Sequence, residues 1–166
     1  MDKAIENITS SCTHCASLRK LPHFVQEQST CDPPDSVGTS FAADVMKRQK
    51  QLILIVRECV TSYTMACIIE DERAETLRNA LLRLCLELRP LDGPPAVIRT
   101  DPAPGFQSIA NDDFLAAHRL CIELGRTKNV NKNPVAEHAV QEVNDHILRL
   151  DPCAQAISPL MCHEYF

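Results

Sequence analysis

A chain of 166 residues is long enough for one domain with a proper core and too short for two. With 45% hydrophobic and 23% charged residues it has the balance of an ordinary globular protein, and no apolar run nears the ~20 residues of a membrane span, so membrane insertion is excluded. A net charge of −5 excludes nucleic-acid binding through the whole surface, because phosphate contacts need clustered Lys and Arg; any such contact must be local.

The opening MDKAIENITSSC lacks the cationic start and apolar stretch of a secretory signal, which implies an intracellular chain with reduced thiols. Most of the nine cysteines, including Cys59, Cys67, Cys85 and Cys121, sit singly in apolar segments and read as small hydrophobes. Residues 1–20 suggest a short helix and a Cys12-Thr-His-Cys15 pair. Residues 22–38 have the Pro, Asp, Ser and Gly density of an irregular linker, so a compact domain should begin at Thr39.

Three strand-like runs follow. SFAADVM is short and partly alternating, QLILIVREC opens with the unbroken run of a strand buried on both faces, and SYTMACIIE is rich in β-formers. The polar connection 47–50 and a turn at 60–62 make an antiparallel meander the economical reading. Ala74, Leu77, Leu81, Leu84 and Leu88 then fall on one face of a helix predicted over 73–89, which Asp92-Gly-Pro-Pro terminates. AVIRT (96–100) reads as a strand with Asp101 at its carboxyl end, where side chains of open α/β sheets project into a crevice. A helix is expected over 111–120, capped by Asn111, with CIEL as a fifth strand.

The last helix starts at Asn133, a good N-cap, with Pro134 in first helical position. Ala136, Val140, Val143, Ile147 and Leu150 form its apolar stripe; Glu137 and Asn144 border it on one side. Glu142 projects roughly 140° away from Glu137, so the two carboxylates cannot serve one site. Just before this helix lies a basic cluster, Arg126, Lys128 and Lys132.

Asp44 lies among small and apolar neighbours in the first strand run. Such a residue costs free energy unless it is solvated on an open edge, paired or bound to a cation. Asp44, Asp101 and Glu137 converging from two strands and a helix would suit divalent metal, since Mg²⁺ takes hard oxygen ligands and keeps waters for substrate phosphates. Two such ions can activate an attacking oxygen and stabilise a leaving one at a phosphodiester.

DVMKRQKQLILIVRECVTSYTMA resembles the first three strands of the catalytic core of retroviral and LTR-retrotransposon integrases, RTDPAPGF its second aspartate block, and KNPVAEHAVQEVN its third. Between Asp101 and Glu137 lie 35 residues, the spacing of that family's D,D-35-E signature, whereas Glu142 would give 40. The similarity covers about residues 29–150 and is strongest to gypsy-type elements. It implies a ribonuclease H-like fold: a mixed five-stranded sheet, first three strands antiparallel, flanked by helices, in a core spanning 39–150.

The resemblance further implies Asp44, Asp101 and Glu137 as catalytic and metal-binding residues, with two Mg²⁺ or Mn²⁺ ions. Their chemistry would be 3′-end processing of element DNA and transfer of the new end to target DNA. It also implies Lys128, Lys132, His138 and Asn144 as candidate DNA contacts, a homodimer or higher multimer, and nuclear work, although no clear import signal is present. Cys12 and Cys15 resemble the cysteine half of the family's amino-terminal zinc domain, but no histidine precedes them. Zinc is therefore not expected, and a substitute set of Cys12, Cys15, His23 and Cys31 has no recognised spacing. Residues 1–38 thus read as a remnant of that domain plus linker, and 151–166 as a tail without secure assignment. Asp-Pro-Ala-Pro-Gly stands where many members have Asp-Asn-Gly, so two prolines should stiffen that loop. The competing reading is a catalytically inactive relic that works as a nucleic-acid or protein interaction module.

Overall fold

The computed structural model describes residues 36–125 and 133–150. Cys12, Cys15, His23, Cys31, Arg126, Lys128, Lys132, the side chain of Leu150 and the stretch 151–166 lie outside the described residues.

The three apolar runs become β1 (Ser40–Arg48), β2 (Gln51–Glu58) and β3 (Thr64–Ile69), an antiparallel meander. β1 runs two residues longer than its sequence suggests, because Lys47 and Arg48 keep pairing with Leu52 and Gln51 up to a tight turn in which Gln49 takes a φ of 53°. β4 (Ala96–Thr100) and β5 (Leu120–Leu124) join in parallel, giving the sheet order β3-β2-β1-β4-β5. The expected mixed five-stranded sheet is therefore what this chain folds into. β1 is its central strand.

Side chains alternate across that strand, so each face of β1 meets a different layer. Phe41 and Ala43 face α1 (Ala74–Cys85) and the short helices α2 (Pro104–Ser108) and α3 (Asp113–Ala117), packing with Leu77, Leu81, Leu84, Phe106, Ile109 and Leu115. Met46, with Ile53, Ile55 and Ala66, instead packs beneath α4 (Pro134–Leu150) through Ala139, Val143 and Ile147. Each of these large aliphatic side chains contributes about 1.5–3 kcal/mol by leaving water. Cys67 and Cys85 are buried in the first layer as small hydrophobes, and burial pushes the Cys85 thiol up to about 12. Cys121 departs from that reading: it lies on the outward side of β5, exposed.

Three helix boundaries differ from expectation. α1 stops at Cys85 rather than 89 because Arg89 is drawn inward, its guanidinium donating to the carbonyls of His118 (3.1 Å) and Pro94 (2.7 Å). α3 covers only Asp113–Ala117, and its cap is Asp112, whose carboxylate accepts from Leu115 N at 3.0 Å; Asn111 sits in the preceding turn. α2 replaces the stiff loop expected after Asp101. Pro104 occupies the first helical turn, where its missing N–H costs nothing. Gly105 then lets α2 press against the turn before α1, since a Cβ there would lie 2.7 Å from the Glu72 carbonyl oxygen.

Candidate active site

Asp44 projects from the central strand toward the α4 side, half-buried, one position past the last β1–β4 pair, Ala43 with Thr100. β1 is the central strand, so Asp44 does not lie in an edge strand, one of the three settings considered for it, although at its position β1 pairs with β2 alone. Asp101 follows Thr100 directly, so Asp44, midway along β1, and Asp101, just past the end of β4, stand side by side on adjacent parallel strands. The Asp44 carboxylate accepts from its neighbour's Val45 N at 2.7 Å. Burial raises its pKa above the usual aspartate value, and the nearby charges of Asp101, Glu137 and Glu72 add to that rise against the Val45 bond. The carboxylates thus lie within electrostatic reach of one another.

Glu137 reaches this neighbourhood through a specific anchor. Asn133, 6% exposed, donates from Nδ2 to the carbonyl of Arg99 (2.9 Å) on β4 and that of Ala43 (3.3 Å) on β1. Its Oδ1 accepts from Ala136 N at 3.4 Å, and its backbone carbonyl accepts from Glu137 N at 3.0 Å. The start of α4 is therefore pinned where the two aspartate strands part.

Glu142 is occupied elsewhere. It pairs with Arg57 of β2, whose side chain is 9% exposed and whose Nε donates to Thr64 Oγ1, and with His138 Nε2 at 3.1 Å. His138 is exposed on that same flank of α4. Asn144 lies further along the helix, its Oδ1 accepting from Arg48 Nη1 at 2.9 Å at the end of β1. Sequence reasoning missed Glu72, which the β3–α1 turn brings to the site and which Lys47 Nζ holds at 2.7 Å. Its only signal was an acidic run of three, Glu70-Asp71-Glu72, at the end of a strand run.

Among the described residues no three His, Cys, Asp or Glu side chains are gathered tightly enough to form a ready-made metal cluster. The trio shares a surface without meeting at one point. Two features nonetheless fit a hard cation. Asp101 Oδ1 is buried without a hydrogen-bond partner among the described residues, and Asp44 is pushed up by burial first and by surrounding like charge second. A positive charge is one group that would stabilise an ionised oxygen in that position. A cavity of about 530 Å³ lies apart from these residues between α3 and β4–β5, lined by Val97, Ile109, Leu115 and Leu120. Glu137 is exposed and Asp44, Asp101 and Glu72 are half-buried, so the acidic surface faces solvent.

No protein-family profile matches this sequence, and no curated protein does. Among solved structures, the catalytic core domain of BIV integrase superposes with a TM-score of 0.59 at 15% identity, over 76% of this chain and 79% of that one. The fold is that of a retroviral integrase catalytic core. At such low identity the likeness establishes architecture, the ribonuclease H-like sheet with its flanking helices, and leaves chemistry to the residues. Among the described residues no helix is long and apolar enough to cross a membrane.

The raised pKa of Asp44 has a measurable effect on stability. A carboxyl that binds its proton more tightly folded than unfolded makes the native state lose stability as pH rises through the interval just above the ordinary aspartate range. Asp44→Asn is therefore expected to melt at higher temperature than the parent at neutral pH in the absence of divalent metal. The gap should close as pH falls toward about 4. Melting curves across that range check it, and a constant offset between the two proteins would remove the electrostatic penalty assigned to Asp44.

Proposed function

We propose that this chain is an integrase-type polynucleotidyl transferase and endonuclease, acting on DNA with Asp44, Asp101 and Glu137 as its catalytic carboxylates. The observation that carries this reading is the placement of Asp44, midway along β1, beside Asp101 at the end of β4, with Glu137 brought near them by an anchored helix. Two Mg²⁺ or Mn²⁺ ions, when bound, would supply the charge that activates an attacking oxygen and stabilises the leaving one. The chain's own part is to hold three acceptor groups at the end of a rigid sheet. Position matters because a nucleophile and a phosphodiester fixed in line react far faster than free partners.

The D,D-35-E spacing and the three sequence blocks support a gypsy-type retrotransposon origin, with element ends and target DNA as substrates. Lys128 and Lys132, just before α4, together with His138 and Asn144 on it, are the proposed DNA contacts. Basic side chains beside a helix N-terminus favour phosphate. A homodimer or larger multimer working in the nucleus completes this reading.

The test is nicking of a DNA duplex by the full chain in Mg²⁺ or Mn²⁺, with calorimetric titration of Mn²⁺ beside it. Metal-dependent nicking and saturable heat at millimolar Mn²⁺ are expected. Neither signal would be seen if the chain is the non-catalytic interaction module, the reading favoured by carboxylates that do not converge on one point.

A further inference from the structure

We propose that Asn133 is the positioning residue of this site, the group that sets where Glu137 stands relative to Asp44 and Asp101. The inference rests on the catalytic reading above. An ordinary N-cap needs one acceptor, and Asn, Asp, Ser or Thr supplies it equally well. Asn133 does more. Both donors of its carboxamide are engaged, one by the carbonyl before Asp44 (Ala43) and one by the carbonyl two residues before Asp101 (Arg99), while its oxygen caps α4.

Those two carbonyls belong to strands that stop pairing at Ala43–Thr100, where β1 continues along β2 alone. Buried backbone acceptors at such a fork need partners, and a side-chain NH₂ can serve both strands at once. One small group therefore closes the fork and fixes the helix start. Glu137 lies one turn further on, its amide bonded to the Asn133 carbonyl, so any drift of Asn133 carries the glutamate with it. No other residue type combines a short reach, two donors and one acceptor. Aspartate would keep the cap and set its carboxylate against two carbonyl oxygens. Serine would keep the cap and lose the span.

The experiment compares Asn133→Ser and Asn133→Asp with the parent in the full chain, by calorimetric Mn²⁺ affinity, far-ultraviolet dichroism and residual dipolar couplings of α4 amides. Helix content should stay at the parent level in both variants, since both retain a cap. Mn²⁺ affinity should fall roughly 10- to 100-fold, as for groups that orient metal ligands. The couplings should show α4 reoriented against the sheet.

A thermodynamic cycle separates positioning from general loosening. In a Glu137→Gln background, Asn133→Ser should weaken the remaining Mn²⁺ binding by less than about twofold, because the group it positions is already gone. An equal loss in both backgrounds would make Asn133 a structural residue and overturn the proposal, as would parent-like affinity in both single variants. A parent that binds no Mn²⁺ would overturn the catalytic reading and this inference with it. If Asn133→Ser does not fold, the cap-retaining Asn133→Asp decides the same cycle.

Discussion

Replacing Asp101 by Asn is expected to lower metal-dependent nicking by roughly 10²- to 10³-fold while leaving the melting temperature unchanged or higher. The two effects come from one atom. Asp101 Oδ1 is buried without a hydrogen-bond partner among the described residues, so the folded chain carries the cost of one unpartnered carboxylate oxygen. A neutral amide of the same shape removes most of that cost. The same change removes the charge that a divalent ion would share, and a metal contact stabilises a phosphoryl-transfer transition state by several kcal/mol, each factor of ten in rate corresponding to about 1.4 kcal/mol. Activity and stability should thus move in opposite directions, the pattern of a residue kept for chemistry. Nicking rates and melting curves on the same preparations check it. Parent-level nicking in Asp101→Asn would rule out the site as assigned.

The extent to which this arrangement is legible in the sequence depends on distance along the chain. The β-rich runs and the strand AVIRT announce themselves through local composition, and all three strands of the meander lie where those runs stand. Helical geometry alone separates Glu137 from Glu142, and the structure shows the physical consequence, Glu142 being held by Arg57 and His138. What local pattern does not carry is the partner brought from afar. The lost last turn of α1 follows from Arg89 bonding His118, 29 residues on. Glu72 joins the acidic surface only because the sheet lays the β3–α1 turn beside β1. Asn133 reads as a cap from its own neighbours, whereas its bonds to Ala43 and Arg99 span 90 and 34 residues. Pro104 misleads for a different reason: a proline that breaks a helix interior also opens one, and the sequence around Asp101 does not distinguish the two.

Glu58→Ala should destabilise the fold by about 2–4 kcal/mol, and Glu58→Gln by about half as much, without a tenfold change in Mn²⁺ affinity. Glu58 ends β2 with its side chain fully buried. One carboxylate oxygen accepts from Gly38 N at 3.2 Å. The other accepts from Val60 N (3.0 Å), Thr61 N (2.6 Å) and Thr61 Oγ1 (2.7 Å). An ionised carboxylate is an acceptor at every position, so a ring of donors suits it, and donors left facing an alanine lose charge-assisted bonds that are the stronger kind. Glutamine can turn its oxygen toward the three-donor side, but its NH₂ then confronts Gly38 N, so one bond is lost and one donor opposes another. That ordering, parent above Gln above Ala, follows from acceptor count and would not follow from packing volume, in which Gln and Glu are alike. The clasp joins the residues leading into β1 to the β2–β3 turn and so secures the open end of the β1–β2 hairpin, at the end of the strands opposite Asp101. Urea unfolding should therefore shift its midpoint with little change in slope. Calorimetry below the transition should still find near-parent Mn²⁺ binding; a loss matching that of Asp101→Asn would instead mean that the carboxylate surface depends on the whole sheet rather than on the fork at Asn133.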